Sequence, residues 1–175
     1  FTAVGGEQMI DGIMVAGTNN QFFAHLSSGT LADFTSTNFM SGKFPFMIFG
    51  LPGAALAMYH TAFDNRKKII GGLLFSAAFT AALTGITEPI EFAFLFAAPI
   101  LYFGIHVPLA GLSFFLMDVL NVHVGMTFSG GLIDFMLFGV LPGNDVTNWI
   151  WIPVVGIAYF FVYYFVFKFA ILKWN

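Results

Sequence analysis

The chain has 175 residues, of which 58% are hydrophobic and only 9% are Asp, Glu, Lys or Arg, and its mean hydropathy is +0.86. Soluble domains are about one-quarter charged, so this composition excludes an ordinary water-soluble fold and indicates an all-α membrane protein. A formal net charge of −3 excludes nucleic acid as a partner, and the lack of cysteine excludes disulfides and sulfur nucleophiles within these residues.

Residues 1–38 are rich in Gly, Asn and Ser with scattered apolar positions. This pattern predicts interfacial loops around short amphipathic helices rather than a membrane span. The chain begins with Phe1, and no basic segment followed by an apolar core is found near it, so a signal peptide is not indicated. We interpret the chain as a piece of a longer protein.

Residues 39–63 predict an apolar helix that is interrupted. Pro45 and Pro52 lie inside it, and Gly50 and Gly53 flank the second proline. An interior proline removes a backbone donor and clashes with the preceding turn, so a break is expected near Pro52. Either the segment is a kinked packing helix, or its exposed backbone lines a ligand cavity.

The basic residues predict the orientation of the chain in the membrane. Residues 66–68 are Arg-Lys-Lys, and Lys168 and Lys173 flank the end of a last span at 150–172. Cytoplasmic loops carry an excess of Lys and Arg, so both places are expected on the cytoplasmic side. The chain must then cross the membrane an even number of times between these two places. The last span crosses once, and residues 69–106 return to the side on which they start. Residues 108–141 must therefore cross an odd number of times, and we expect them to contain a partial or broken helix.

Two carboxylates lie between apolar arms at residues 69–106, in the sequence GITEPIEF at 85–92. A charged side chain is costly in hydrocarbon, so Glu88 and Glu91 must face protein, water or a ligand. Glu88 precedes Pro89, which disfavours helix and favours a chain reversal. We therefore predict a re-entrant helical hairpin whose tip offers carboxylate acceptors to a hydroxyl-rich ligand. The alternative is that either acid only stabilises the first turn of the following helix.

The remaining polar residues predict structural roles. None of the histidines has the spacing of a metal site, and the residues give no indication of a metal or cofactor. Two aspartates in apolar surroundings each need a partner, for which Lys43 is a candidate. The residues interpreted in this way are His25, His60, His106, His123, Asp118 and Asp134.

The sequence GITEPIEF, preceded by GLPGAALAMYH at 50–60 and followed by APILY at 98–102, closely resembles a known family. It is the membrane IIC component of the bacterial phosphoenolpyruvate-dependent sugar phosphotransferase system, in the glucose superfamily. The resemblance runs from about residue 39 to the C-terminus, the C-terminal half of a IIC permease. The order of the segments also matches, including SGGLIDF at 129–135.

This resemblance implies a multi-pass permease of the bacterial cytoplasmic membrane, a homodimer that carries sugar by an elevator-like movement. The family's acidic sugar ligand maps onto Glu88, which we also expect to act catalytically, with Thr87 and Glu91 as further sugar-binding residues. A phosphocysteine on a IIB domain would phosphorylate the 6-hydroxyl of the sugar. The family's Gly-Leu-His-His run and its N-terminal dimerisation half are not among these residues.

The sequence leaves the sugar and the function class open. Glucose, maltose or other α-glucosides, and N-acetylglucosamine all fit, with residues 19–25 somewhat closer to the glucose and maltose types. An ion-coupled secondary transporter also uses re-entrant hairpins and a membrane carboxylate. A non-transporting membrane subunit, in which broken helices serve assembly, is the third interpretation.

Overall fold

The computed structural model describes residues 6–30 and 37–174. It begins with an antiparallel hairpin of β1 (Glu7–Ile10) and β2 (Ile13–Ala16), joined at Asp11 and Gly12, both of which have positive φ. Asp-Gly favours this type of two-residue turn, so a hairpin replaces part of the loops and short helices expected for residues 1–38. Helix α1 (Thr18–Ser28) follows. The predictions for residues 1–5 and 31–36 lie outside the described residues.

Helix α2 (Asn38–Thr61) is continuous through both prolines. Its residues Pro45–Gly50 form π-helical turns, and regular α-helix resumes at Leu51. The interruption expected near Pro52 therefore takes the form of a widened turn just before it. Such a turn accommodates the missing N–H without ending the helix.

A helical hairpin follows the basic loop. Helix α3 (Lys67–Thr84) ends at Gly85, whose φ of 80° closes the helix in the left-handed conformation. The tip is short, and helix α4 (Glu88–Ala97) begins directly after Thr87. Glycine at this C-terminal position is favoured because it has no Cβ to resist a positive φ. The chain reversal thus lies at the predicted place.

Helix α5 (Pro99–Val119) begins after an extended residue, Ala98. It passes through residues 106–108, where the end of the hairpin was expected. Pro108 lies directly after a π-helical turn, Tyr102–His106, and that wider turn accommodates the proline within one helix. The hairpin therefore ends at Ala98 and not at residue 106.

Residues 120–131 are irregular, and a short helix α6 follows, Leu132–Phe135 continuing as Met136–Val140. After helix α7 (Asn144–Thr147), helix α8 (Trp151–Trp174) completes the chain. The His123 amide donates to the Thr147 carbonyl oxygen at 2.8 Å, so the loops before α6 and α8 are joined.

Helices α2 and α8 lie side by side and run in the same direction, as successive contacts show: Phe49 with Gly156, Gly53 with Phe160, and His60 with Tyr164. Helix α5 runs in the opposite direction, with His106 beside Tyr163 and Leu109 beside Tyr159. The ring of Phe94 packs on Phe167, so α4 returns toward the end of the molecule from which α3 leaves.

Four helices among the described residues are long and apolar enough to cross a membrane: Asn38–Thr61, Lys67–Thr84, Pro99–Val119 and Trp151–Lys173. Many of their large apolar side chains are exposed, including Phe75 and Phe165, while Tyr163 and Phe94 form part of the core. Exposed apolar surface on this scale is typical of helices in contact with lipid. The predicted all-α membrane fold is confirmed.

Candidate functional site

The tip of the α3–α4 hairpin carries the three predicted site residues. Thr87 is buried and precedes α4, and its carbonyl oxygen accepts the amides of Ile90 at 3.1 Å and Glu91 at 2.9 Å. Glu88 and Glu91 occupy the first turn of α4, where the positive end of the helix dipole stabilises acidic groups. Both carboxylates therefore also meet the expectation for first-turn acids.

Glu88 is solvent-exposed at this tip. Within the part of the chain that the structure describes, its carboxylate makes no hydrogen bond and no ion pair. It is therefore not a capping group held by this half of the molecule. All of its acceptor positions are open to a ligand or to another polypeptide segment.

Glu91 differs from Glu88 because its carboxylate contacts a buried residue of the core. Its Oε1 lies 3.6 Å from Nε2 of His106, and Nδ1 of that histidine lies 3.1 Å from the Tyr163 hydroxyl. The His106 and Tyr163 side chains are almost fully enclosed. A Tyr163 hydroxyl that donates to Nδ1 leaves the ring proton on Nε2, where it faces the Glu91 carboxylate. Glu91 thus has a fixed orientation, whereas Glu88 does not.

The sequence prediction placed His106 at the end of the hairpin segment 69–106, and this placement is wrong. It lies inside α5, between three helices, and its ring contacts Phe46, Phe94 and Tyr102 as well. No local pattern indicates this role, because its polar partners Glu91 and Tyr163 come from separate helices.

Asp134 holds a second tip in place, which consists of residues 127–131 directly before α6. Its carboxylate is buried and accepts five hydrogen bonds of 2.9–3.2 Å, from the Thr127 hydroxyl and from the backbone amides of Thr127, Phe128, Ser129 and Gly130. The partner expected for this acid is therefore a curl of backbone. No ion pair of Lys43 with an aspartate is found among residues 6–30 and 37–174. Asp118, for which a partner was also expected, is exposed in the last turn of α5.

The two tips touch each other. A methyl group added to Gly85 would lie 2.5 Å from the Ser129 carbonyl oxygen, and one added to Gly131 would overlap the backbone of Thr84 and Gly85. Such an approach of backbone to backbone is open only to glycine. Lys43 lies beside the second tip, where its side chain would be 3.3 Å from a methyl group on Gly130. The region where α3 ends and α4 begins therefore contains acidic and hydroxyl side chains, and it touches the second tip, beside which Lys43 lies.

The other histidines have local partners or a buried position. His25 Nδ1 lies 2.7 Å from the Thr30 hydroxyl, and His60 Nδ1 lies 3.0 Å from the Tyr164 hydroxyl. His123, in the loop before α6, is buried, and this burial lowers the pKa of its imidazole. Within the described residues, no group of three His, Asp or Glu side chains that could hold a metal ion is found.

Comparison with known proteins decides the family. The family model described as "Phosphotransferase system, EIIC" matches residues 1–111, which is more than half of the chain. The chain belongs to the EIIC family of the phosphotransferase system. It is also similar to the PTS system glucose-specific EIICBA component of Staphylococcus saprophyticus subsp. saprophyticus, with 54% identity over 164 residues.

This relative is much longer than the EIIC chain described here. The match covers 94% of this chain but only 24% of the relative, so the chain spans about a quarter of that protein. The family resemblance inferred from GITEPIEF is thus confirmed. The multi-pass character expected of an EIIC chain agrees with the four apolar helices.

Proposed function

We propose that this chain is the sugar-carrying part of a permease that couples sugar uptake to phosphorylation, and that the sugar binds at the α3–α4 tip. The observation that carries the proposal is the meeting of two hairpin tips beside an exposed carboxylate, Glu88, that has no partner among the described residues. A carboxylate offers up to four acceptor positions, which suits the hydroxyls of a sugar. Irregular backbone at membrane depth is tolerated where it lines a polar cavity.

Each predicted residue has a distinct role in this proposal. Glu88 accepts hydrogen bonds from the sugar, and Thr87 lies beside it at the start of α4. Glu91, oriented by His106 and Tyr163, provides a second, fixed acceptor. Lys43, which lies beside the second tip, adds a positive charge to this region.

The phosphoryl transfer uses a donor from outside this chain. The oxygen of the sugar 6-hydroxyl attacks the phosphorus of a phosphocysteine on a IIB domain, the phosphorus–sulfur bond breaks, and the cysteine leaves as a thiolate. Glu88 accepts the proton of the reacting hydroxyl as general base. Since the chain contains no cysteine, the donor must be on another domain or protein.

Glucose is the sugar that we propose, because the 54%-identical relative is named glucose-specific. Maltose and N-acetylglucosamine are the alternatives within the superfamily. We further propose that the protein is a homodimer of the bacterial cytoplasmic membrane. Its C-terminus lies on the cytoplasmic side, near Lys168 and Lys173, and the sugar crosses by an elevator-like movement.

The decisive experiment replaces Glu88 by Gln in the full-length protein and measures sugar affinity by equilibrium binding. Hydrogen bonds to a charged group contribute roughly 1.5–3 kcal/mol, so we expect affinity to fall about 10- to 100-fold. Asp118→Asn is the matched control, because Asp118 is an exposed carboxylate distant in sequence from the tip. Wild-type affinity in a folded Glu88→Gln protein would show that Glu88 does not bind the sugar.

A second function is favoured by the same tip-to-tip hairpins, since ion-coupled secondary transporters use such hairpins with a membrane carboxylate. Uptake into vesicles that lack the phosphotransfer proteins separates the two mechanisms. Accumulation driven by a proton or sodium gradient under those conditions would favour ion coupling. An intact assembly without any sugar affinity would instead indicate a non-transporting subunit.

A further inference from the structure

A large cavity lies outside the hairpin tips, between α2 and α3. This α2–α3 groove has a volume of about 810 Å³. On the α3 side, Gly71 and Gly72 have no side chains to fill the groove. A methyl group added to Gly72 would meet nothing within 4 Å. The other lining is largely apolar and includes Ala55, Leu56 and Phe75. A long hydrocarbon chain therefore fits the chemistry of this groove.

The groove is not apolar throughout, since Lys67 and Lys68 line one end of it. Lys67 donates to Asp64 at 2.8 Å, which satisfies its charge. Lys68 makes no ion pair within residues 6–30 and 37–174. One cation without an ion-pair partner thus lies at the end of an apolar groove.

We propose that the α2–α3 groove binds an anionic phospholipid, with an acyl chain against Gly72 and the headgroup phosphate on Lys68. The charge argues for a lipid over a protein segment. An apolar helix laid in the groove would leave the Lys68 ammonium without an acidic partner. A phosphate offsets this charge, and anionic lipids are attracted to basic residues that border a membrane helix.

The occupant is a membrane lipid and not free phosphate, because most of the lining is hydrocarbon. The basic loop at residues 64–68 joins α2 to α3 and forms the headgroup end of the groove. This site does not include Thr87, Glu88 or Glu91, so it is separate from the proposed sugar site. The lipid proposal can therefore be tested independently of the sugar proposal.

The test is native mass spectrometry of the full-length protein released from nanodiscs of phosphatidylcholine with a minority of phosphatidylglycerol. The wild-type protein should retain phosphatidylglycerol in preference to phosphatidylcholine. Lys68→Gln removes the free cation and should lower that preference about fivefold, the effect expected of one basic residue near an anionic headgroup. Gly72→Leu fills the groove and should lower the retention of both lipids.

Lys173→Gln is the matched control, because Lys173 is a cation near the C-terminal end of α8 that does not line the groove. It should retain lipid like the wild type. Folding is checked by equal melting temperature and equal elution in size exclusion. Should Gly72→Leu fail to fold, a photoreactive phosphatidylglycerol added to the wild type should cross-link to Leu56 or Phe75.

Three results would overturn the proposal. They are a wild-type protein with no preference for phosphatidylglycerol, a Lys68→Gln protein that retains lipid as the Lys173→Gln control does, and a photoreactive lipid that labels neither Leu56 nor Phe75. A protein segment cross-linked into the groove in place of lipid would have the same consequence.

Discussion

Asp134 shows how one residue shapes the candidate site without lying on it. Its two oxygens accept four backbone amides and one hydroxyl, and the curl that they hold is the tip that meets Gly85. These donors occupy the acceptor positions of the buried carboxylate. Its hydrogen-bonding requirement is therefore met locally, and no cation is needed.

We expect Asp134→Asn to destabilise the protein, because the amide NH₂ group would face backbone donors in place of an oxygen. Losing charged hydrogen bonds of this kind costs roughly 2–3 kcal/mol. The apparent melting temperature of the purified full-length protein measures this loss. Asp118→Asn, at an exposed carboxylate, should stay close to the wild type. Equal melting temperatures for the two variants would contradict the role given to Asp134.

Single residues were predictable from the sequence where the signal was local. The acids of GITEPIEF were selected as candidate site residues because a charge next to a proline in an apolar stretch has few explanations. The sequence could not predict that Tyr163 and His106 hold Glu91, because this contact joins α4, α5 and α8. It also could not predict the partners of Asp134, because almost every residue has a backbone amide and the sequence does not show which amides will donate.

Elements were predicted better than their boundaries. Pro52 was expected to interrupt its helix, yet α2 continues through it after π-helical turns, and α5 does the same at Pro108. Whether a proline ends a helix depends on tertiary packing, which favours one long helix here. The β1–β2 hairpin was missed because its strands are only four residues long and one face of them is not clearly apolar.

At the scale of elements, we expect Gly85→Ala to separate the two hairpin tips. Gly85 has a φ of 80°, and a methyl group there would lie 2.5 Å from the Ser129 carbonyl oxygen. A left-handed alanine costs about 1–2 kcal/mol, and backbone overlap adds about 1–3 kcal/mol. Melting temperature and sugar affinity of the full-length protein should both fall.

The matched control for that change is Gly111→Ala. Gly111 lies within α5, and a methyl group there would meet nothing within 4 Å. Alanine is favoured over glycine inside a helix by about 1 kcal/mol, so this variant should be neutral or slightly more stable. A Gly85→Ala protein as stable as Gly111→Ala would mean that the contact between the tips is not required.

At the scale of the whole molecule, the long helices run parallel or antiparallel to one another, so the described part of the chain has two opposite faces where helices end. Helices α2 and α8 run in parallel, and their C-terminal ends meet where His60 lies beside Tyr164. The Arg66–Lys68 cluster and Lys168 are close to that end in sequence. Helix α8 has 24 residues and is about 36 Å long, which is enough to cross the hydrocarbon core. The loop before α8 therefore lies at the opposite end.

This arrangement predicts which side of the membrane each loop faces. A cysteine introduced at Asp64, in the basic loop, should react with an impermeant maleimide only from the cytoplasmic side. Asp64 is exposed, and its hydrogen bond with Lys67 lowers the pKa of its carboxyl group. A cysteine at Asp145, exposed in α7, should react only from the outer side. Peptide mapping by mass spectrometry measures each labelled position in intact and inverted vesicles.

The reason for this expectation is that basic residues are retained on the cytoplasmic side, while an odd number of crossings separates the two loops. Helix α3 and helix α4 leave and return at the same end, so together they add no crossing, and α5 supplies the one that remains. Vesicles permeabilised with detergent provide the control, since both positions should then react equally. Labelling of both cysteines from the same side would mean that an even number of crossings separates the two loops, as when α5 does not cross the membrane.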